Sequence, residues 1–201
     1  SKSMMEKVAI SKARDEFHRD GTIITVTRYG NVLFSRGSII PFFINLIKQN
    51  KDLPITDPTM TRFLMTLDES VSLVLMAFEN GNHGDTFVQK ANATNVECIS
   101  KALKNIFNSD VGIKIIGPRH GEKLHETLCS SEEMSKAIEL ESYLRIPADL
   151  RTIDYKKIEG NQEHEIDLNI LPYSSNSNTL INLDELVDYL NKQSYIQDQL
   201  K

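Results

Sequence analysis

Residues Thr22-Ile23-Ile24-Thr25-Val26-Thr27 are β-branched without exception, and this run restricts the fold more than any other feature of the chain. Two substituents on every Cβ limit χ1 and suit a pleated, extended backbone, so a buried strand is expected over 22–27, ending at Arg28-Tyr29. The segment before it has helical spacing. Met4, Met5, Val8, Ala9, Ala13 and Phe17 share one face of a helix expected over 3–19, opposite Glu6, Lys12, Arg14 and Glu16, with Asp20-Gly21 as its stop.

After the strand the two periods keep alternating. One helix is expected over 39–49, with Phe42, Phe43, Leu46 and Ile47 inward and Pro41 tolerated in its first turn. A second begins at Thr66-Leu67-Asp68, carries Val71, Val74, Leu75 and Phe78, and ends at Gly81; a third covers 95–107 with Val96, Ile99, Leu103 and Ile106 on one stripe. Strands are expected over 53–56, closed by Asp57-Pro58, over 86–89 after Gly84-Asp85, and over 113–116. This alternation indicates an α/β protein. Beyond about residue 130 the pattern loosens into a short helix over 130–137, capped by Ser130 or Ser131, and short extended pieces within 143–181. The polar run over 173–179 reads from composition as an exposed loop, and helices over 183–190 and 195–200 close the chain.

Bulk properties exclude several functions. A net charge of −5 over 201 residues argues against nucleic acid as a partner, because phosphate contacts need clustered Lys and Arg. No apolar run approaches the roughly 20 residues of a membrane span. Residues 1–15 carry charges throughout, unlike a secretory signal, and two cysteines without CxxC spacing read as free thiols in a cytoplasmic protein. Ser1-Lys2-Ser3 carries no initiator methionine and runs straight into the first helix, which reads as a cut within a longer frame.

Polar groups gather at the ends of apolar runs. A strand ending in Arg-Tyr-Gly-Asn sets polar side chains at its carboxyl end, where open α/β sheets bind ligands, and Asn31 offers both a donor and an acceptor. Ser35-Arg36-Gly37-Ser38 precedes a helix whose first N–H groups could face an anion. Arg62, flanked by Met60, Phe63, Leu64 and Met65, must reach water or find an anion. Arg119 follows a strand directly, in the turn Gly117-Pro118-Arg119-His120-Gly121-Glu122. Two guanidinium forks with Asn31 suit a pyrophosphate, while Glu122 either takes ribose or sugar hydroxyls or holds Arg119 in place. Singly, each segment reads as a capped loop with an exposed arginine; their combination points to an anionic ligand. His120 and His125 lack the spacing of a helical metal site, so no metal is expected, and Asp57, Asp68 and Glu69 read as turn and cap residues. Lys2, opposing the dipole of its own helix, reads on its own as a frayed terminal lysine.

The ordered segments Ser1-Lys2 with Met4-Met5-Glu6-Lys7, TRYGNV (27–32), SRGSIIPFF (35–43), ITDPTMTRFLMTLDESV (55–71), GDTFVQKA (84–91), RHGEKLHETL (119–128) and RIPAD (145–149) carry a resemblance. Over nearly its whole length the chain resembles the carboxyl-terminal portion of the capsular-polysaccharide UDP-N-acetylglucosamine 4,6-dehydratases and related UDP-sugar 4-epimerases of the extended short-chain dehydrogenase/reductase family. The resemblance implies a partial Rossmann-type, NAD(P)-binding fold at 1–34 and 84–92. It further implies a UDP-sugar-binding domain at 35–83 and 93–172, and a carboxyl-terminal loop and helical pair at 173–201.

The implied chemistry is oxidation at sugar C4 by NAD or NADP. Loss of water across C5–C6 and hydride return to C6 follow in a dehydratase; an epimerase returns the hydride to C4 from the opposite face. Carried over by position, Lys2 matches the catalytic lysine that orients the nicotinamide ribose. Asn31, Arg62 and Arg119 match contacts to the UDP phosphates, Glu122 the acidic residue after that arginine, and Ser35 and Arg36 the loop at the sugar pocket. The run at 173–179 matches a segment that closes over the site, and full-length members are expected to be homo-oligomers. No GxGxxG is formed by Gly30, Gly37 or Gly121. The dehydratase reading leads at this stage, with the epimerase and a catalytically dead UDP-sugar-binding module as alternatives. The isolated chain is expected to be inactive, weak in UDP-sugar binding and prone to aggregate, with apolar faces and strand edges uncovered.

Overall fold

The β-branched run becomes a strand only at its carboxyl end. The computed structural model describes residues 2–17, 19, 21–149, 170–177 and 179–201. Within it β1 spans Val26–Arg28, with residues 21–25 irregular. Helix α1 occupies Lys2–Phe17, and the Gly21 N–H closes it on the Glu16 carbonyl at 2.9 Å. Ser1 and Asp20, singled out above, lie outside the described residues, as does the part of the expected extended region at 150–169. In chain order there follow β2 (Asn31–Val32), α2 (Ile39–Lys48), β3 (Leu53–Ile55), β4 (Thr61–Met65) and α3 (Leu67–Asn80). Next come β5 (Thr86–Gln89), β6 (Asn92–Asn95), α4 (Val96–Ile106), β7 (Ile113–Ile115), β8 (Thr127–Cys129) and α5 (Ser131–Met134). The last are β9 (Ile138–Glu139), β10 (Tyr143–Ile146), β11 (Tyr173–Ser174), α6 (Leu183–Asn191) and α7 (Ser194–Leu200). The chain is a mixed α/β protein, as the alternation predicts.

Two compact units share this chain, and each takes three separate segments of it. The first comprises Ser1–Tyr29, Asp68–Lys90 and Leu128–Tyr173. Its sheet has the order β1-β5-β10-β9, with β1 parallel to β5 (Val26 opposite Thr86) and β10 antiparallel to β5 (Leu144 opposite Val88). Central β5 is buried at all four positions, as a strand covered on both faces must be. Phe87 packs with Leu73 and Ala77 of α3, whereas Val88 packs with Cys129, Leu144 and Ile146, the alternation that a pleated strand imposes. Arg28 pins the unit: its guanidinium donates to Glu6 at 2.9 Å, to Glu133 at 2.8 Å and to the Leu128 carbonyl at 3.0 Å.

Two helix faces differ from expectation. In α3 the buried stripe is Ser70, Leu73 and Ala77, while Val71, Val74, Leu75 and Phe78 are exposed, Phe78 at 85%. In α1 only Ala13 is buried, and Met4, Met5 and Val8 stand exposed.

The second unit comprises Gly30–Leu67, Ala91–Thr127 and Ser174–Lys201. Its three-stranded sheet, β2-β4-β6, pairs β2 parallel and β6 antiparallel to β4; a separate parallel pair joins β3 to β7. Helices α2, α4, α6 and α7 enclose one core, in which Phe43, Ile99, Leu103, Leu186, Leu190 and Ile196 are almost wholly buried. Both later helices start on a stated device: the Asn95 side chain accepts the Cys98 N–H at 2.7 Å, and Asn182 with Glu185 forms a capping box.

Strands β4 and β6 had no counterpart among the expected elements. Four of the five β4 residues are buried, so no alternation marks it, and Asn-Ala-Thr-Asn has little intrinsic preference for a strand. Phe42, expected inward, is 47% exposed. The polar run, expected to be an exposed loop, begins in β11 and buries Ser174 and Ser175, the latter completely. Its Asn178 lies outside the described residues.

Candidate functional site

A cavity of about 380 Å³ opens in the second unit, and a glycine sets its first wall. A Cβ on Gly30 would lie 2.4 Å from the Phe63 Cβ, so only glycine lets the chain pass this close to β4. Directly after it, Asn31 is held opposite Leu64 in parallel register, and the Asn31 side chain lines the cavity. The chain then turns through two left-handed residues, Phe34 (φ 62) and Gly37 (φ 76), and Ser38 becomes the N-cap of α2. Its hydroxyl makes no capping bond. It is buried without a partner at the cavity wall, beside the start of a helix whose first N–H groups have no intrahelical acceptor.

Arg62 projects from β4, where it lies opposite Thr94 of β6. Its side chain is only 15% exposed, which obliges the guanidinium to find acceptors. It finds the carbonyls of Thr61 (2.7 Å), Lys123 (3.0 Å) and Leu124 (3.3 Å), with the Glu126 carboxylate 3.6 Å from Nε. The arginine thus ties the loop after β7 to the sheet.

In that loop Gly117 and Gly121 both adopt positive φ, and the backbone between them closes on itself. The Glu122 N–H donates to the Arg119 carbonyl at 3.1 Å, and the Arg119 N–H donates to the Glu122 carboxylate at 3.2 Å. Of the two duties considered for Glu122, holding Arg119 is therefore visible at the backbone. The Arg119 residue is exposed.

Asn31, Arg62, Arg119 and Glu122 all line the one cavity. Ser35 and Arg36 are exposed in the turn before Ser38 and do not line it; Lys2, exposed in the first turn of α1, belongs to the first unit. Sequence reading named Ser38 only as the end of the segment before α2 and took Ser35 and Arg36 as its site residues, although a serine immediately before an apolar helix with proline in its first turn was a signal. It passed over the apolar wall formed by Phe42, Pro54 and Ile116, since Phe42 had been assigned to the core.

Between β3 and β4, Asp57 sits in an Asx turn. The Thr59 hydroxyl and N–H both donate to it, and with the nearby His125 they hold its carboxyl below the ordinary value. Among the described residues no three His, Cys, Asp or Glu side chains gather as a metal site would need, and no helix is long and apolar enough to cross a membrane. The arrangement can attract an anion by the charge of two guanidinium groups, of which Arg119 has the exposed fork, with an amide and a hydroxyl alongside and an apolar wall for a flat ring.

Comparison with known proteins gives a consistent set of relatives. The family model described as polysaccharide biosynthesis protein matches residues 1–148. A UDP-glucose 4-epimerase of Rickettsia bellii (strain OSU 85-389) is 54% identical over 201 residues, all of this chain and 58% of that protein. The protein of the same name from Rickettsia rickettsii (strain Sheila Smith) is 52% identical over the same share. Among solved structures, Pen from Bacillus thuringiensis superposes with a TM-score of 0.77 at 30% identity, covering 94% of this chain and 55% of that one. DesIV, a dTDP-glucose 4,6-dehydratase from Streptomyces venezuelae solved with NAD and TYD bound, is similar in fold alone, with a TM-score of 0.50 at 17% identity over 57% of this chain and 38% of its own. The chain therefore spans little more than half the length of the relatives it matches.

Proposed function

The chain belongs to the polysaccharide biosynthesis protein family, and from that premise we propose that it is the nucleotide-sugar-binding part of a UDP-sugar 4-epimerase. The observation that carries the proposal is the convergence of Arg62 and Arg119, from segments 57 residues apart, on the cavity that also holds Asn31 and the unpartnered Ser38 hydroxyl. A diphosphate suits this set: the Arg119 guanidinium and the Asn31 amide can donate to it, Ser38 gains the partner it lacks, and Arg62, whose N–H groups are held by carbonyls, Met60 and Glu126, adds its positive charge at the wall. The apolar wall of Phe42, Pro54 and Ile116 suits the flat face of a uracil ring.

The motifs that led first to a 4,6-dehydratase do not by themselves separate it from a 4-epimerase. The names of the relatives at 54% and 52% identity favour the epimerase, so the dehydratase reading gives way to what had been its alternative. In this reading the chain's own residues bind, orient and shield. Arg62 and Arg119 anchor the diphosphate, Asn31 sets its rotation, and the cavity fixes the sugar relative to that anchor.

NAD or NADP would supply the hydride acceptor in such an enzyme. The described residues do not form a cradle for it: the positive-φ glycines Gly37, Gly84, and Gly117 with Gly121 lie in three separate loops, and Lys2 is exposed in the first turn of α1. No step through the cofactor follows from this chain, and the role of Lys2 at the nicotinamide ribose rests on the family resemblance.

Calorimetric titration of the chain with UDP, UDP-glucose and uridine tests the proposal. UDP and UDP-glucose are expected to bind far more tightly than uridine, with Arg119→Ala weakening both by about 10–100-fold and leaving uridine unchanged. UDP binding no tighter than uridine would remove the diphosphate site from the reading.

A further inference from the structure

We propose that Ser175, which does not line the cavity, is a positioning residue for Arg62, and this rests on the diphosphate role given to that arginine above. Ser175 is fully buried although it belongs to a run whose composition reads as solvent-exposed loop. It clasps Glu126 from both sides: the Ser175 N–H donates to the Glu126 carbonyl at 2.8 Å, and the Glu126 N–H donates to the Ser175 hydroxyl at 2.9 Å. The same hydroxyl lies 2.6 Å from the Thr61 hydroxyl and 3.3 Å from the Thr61 carbonyl.

Those two neighbours are Arg62's own partners. The Thr61 carbonyl accepts from Arg62 Nη1 at 2.7 Å, and the Glu126 carboxylate faces Arg62 Nε at 3.6 Å. One buried hydroxyl therefore fixes both sides of the guanidinium. The Thr61 hydroxyl reaches onward to His125 Nδ1 at 2.8 Å, and the network is satisfied in either imidazole tautomer. When Nδ1 accepts, Thr61 donates to it and Ser175 donates to Thr61 Oγ1. When Nδ1 donates, Thr61 Oγ1 donates to Ser175, whose own proton turns to the Thr61 carbonyl.

A guanidinium that is held before the ligand arrives loses less freedom on binding, so removing the clasp should weaken diphosphate binding without touching the cavity wall. In the ¹⁵N-labelled chain, the Arg62 Nε–H resonance, identified by its loss in Arg62→Lys, is expected to shift and to exchange faster with solvent in Ser175→Ala. UDP affinity should fall about 5–10-fold, uridine affinity should stay unchanged, and Ser175→Ala should add nothing in an Arg62→Ala background. Ser175→Thr, which keeps the hydroxyl, should restore the resonance and the affinity.

An unchanged Arg62 signal in Ser175→Ala overturns the proposal, as does an equal loss for uridine. If Ser175→Ala does not fold, Thr61→Val removes the other end of the same hydrogen bond and is read in the same way. A wild-type chain that binds UDP no better than uridine would end the diphosphate reading, while the Arg62 resonance would still decide whether Ser175 positions the arginine.

Discussion

Arg62 and Arg119 serve the same proposed ligand from opposite physical situations, and their substitutions should separate accordingly. Arg119 is exposed and held only through its backbone, so Arg119→Ala should leave the melting temperature unchanged while UDP affinity falls. Arg62→Ala strips the donor from the carbonyls of Lys123 and Leu124, so affinity and thermal stability should fall together. Differential scanning calorimetry beside titration resolves the pair. Elsewhere, burial pushes the Cys129 thiol up to about 12, with the Glu133 charge adding and Arg28 opposing. It should resist iodoacetamide at pH 8 in the native chain and react after denaturation, read by peptide mass mapping. Burial works to raise Glu133 itself, but the Arg28 hydrogen bond and the Ser130 N–H outweigh it and hold the carboxyl below its ordinary 4.5. That stabilisation is present above 4.5 and is lost as the pH falls through the lowered folded value. Glu133→Gln should therefore melt lower at pH 7 and lose less on acidification, a comparison that circular dichroism makes directly.

At the scale of elements, helices were legible as helices, but not always by the face they bury. Helix α3 carries two apolar stripes, and the spacing alone favours Val71, Val74, Leu75 and Phe78. The stripe actually covered is Leu73 with Ala77, because Phe87, Leu140 and Tyr143 arrive on that side from further along the chain. Periodicity holds no information about such distant partners. Phe78→Ser should accordingly keep the unfolding free energy within about 0.5 kcal/mol of wild type and reduce self-association in sedimentation velocity. Helix α4 is the opposite case: its Val96, Ile99 and Leu103 stripe was expected and is found, while Asn95, read as the first helical residue, is its cap. Asn95→Ala should cost about 1 kcal/mol, measured by urea unfolding. Strand β1 is shorter than its β-branched run because pairing, not propensity, sets strand length, and β5 pairs with only Val26 to Arg28.

At the scale of the whole chain, part of the cavity lining could be named from sequence: Asn31, Arg62, Arg119 and Glu122 each sit at a break in an apolar pattern. The burial of the Ser38 and Ser175 hydroxyls could not be read there, since burial is decided by elements remote in sequence. A chain that spans 58% of its relatives' length and whose described residues form no dinucleotide cradle should show no turnover of UDP-glucose with added NAD, followed by chromatography of the nucleotide sugars. The interleaving of the two units also governs how the protein can be made. Each draws one segment from the first third of the chain and another from beyond residue 127, so no single cut and no contiguous subclone yields either intact. During synthesis the early strands of both must wait, unpaired, for partners further along the chain: Val26 for Thr86 in the first unit, Leu53 for Ile113 in the second. Slow folding set by long-range closure follows, and so does reliance on chaperones while the nascent strands remain open.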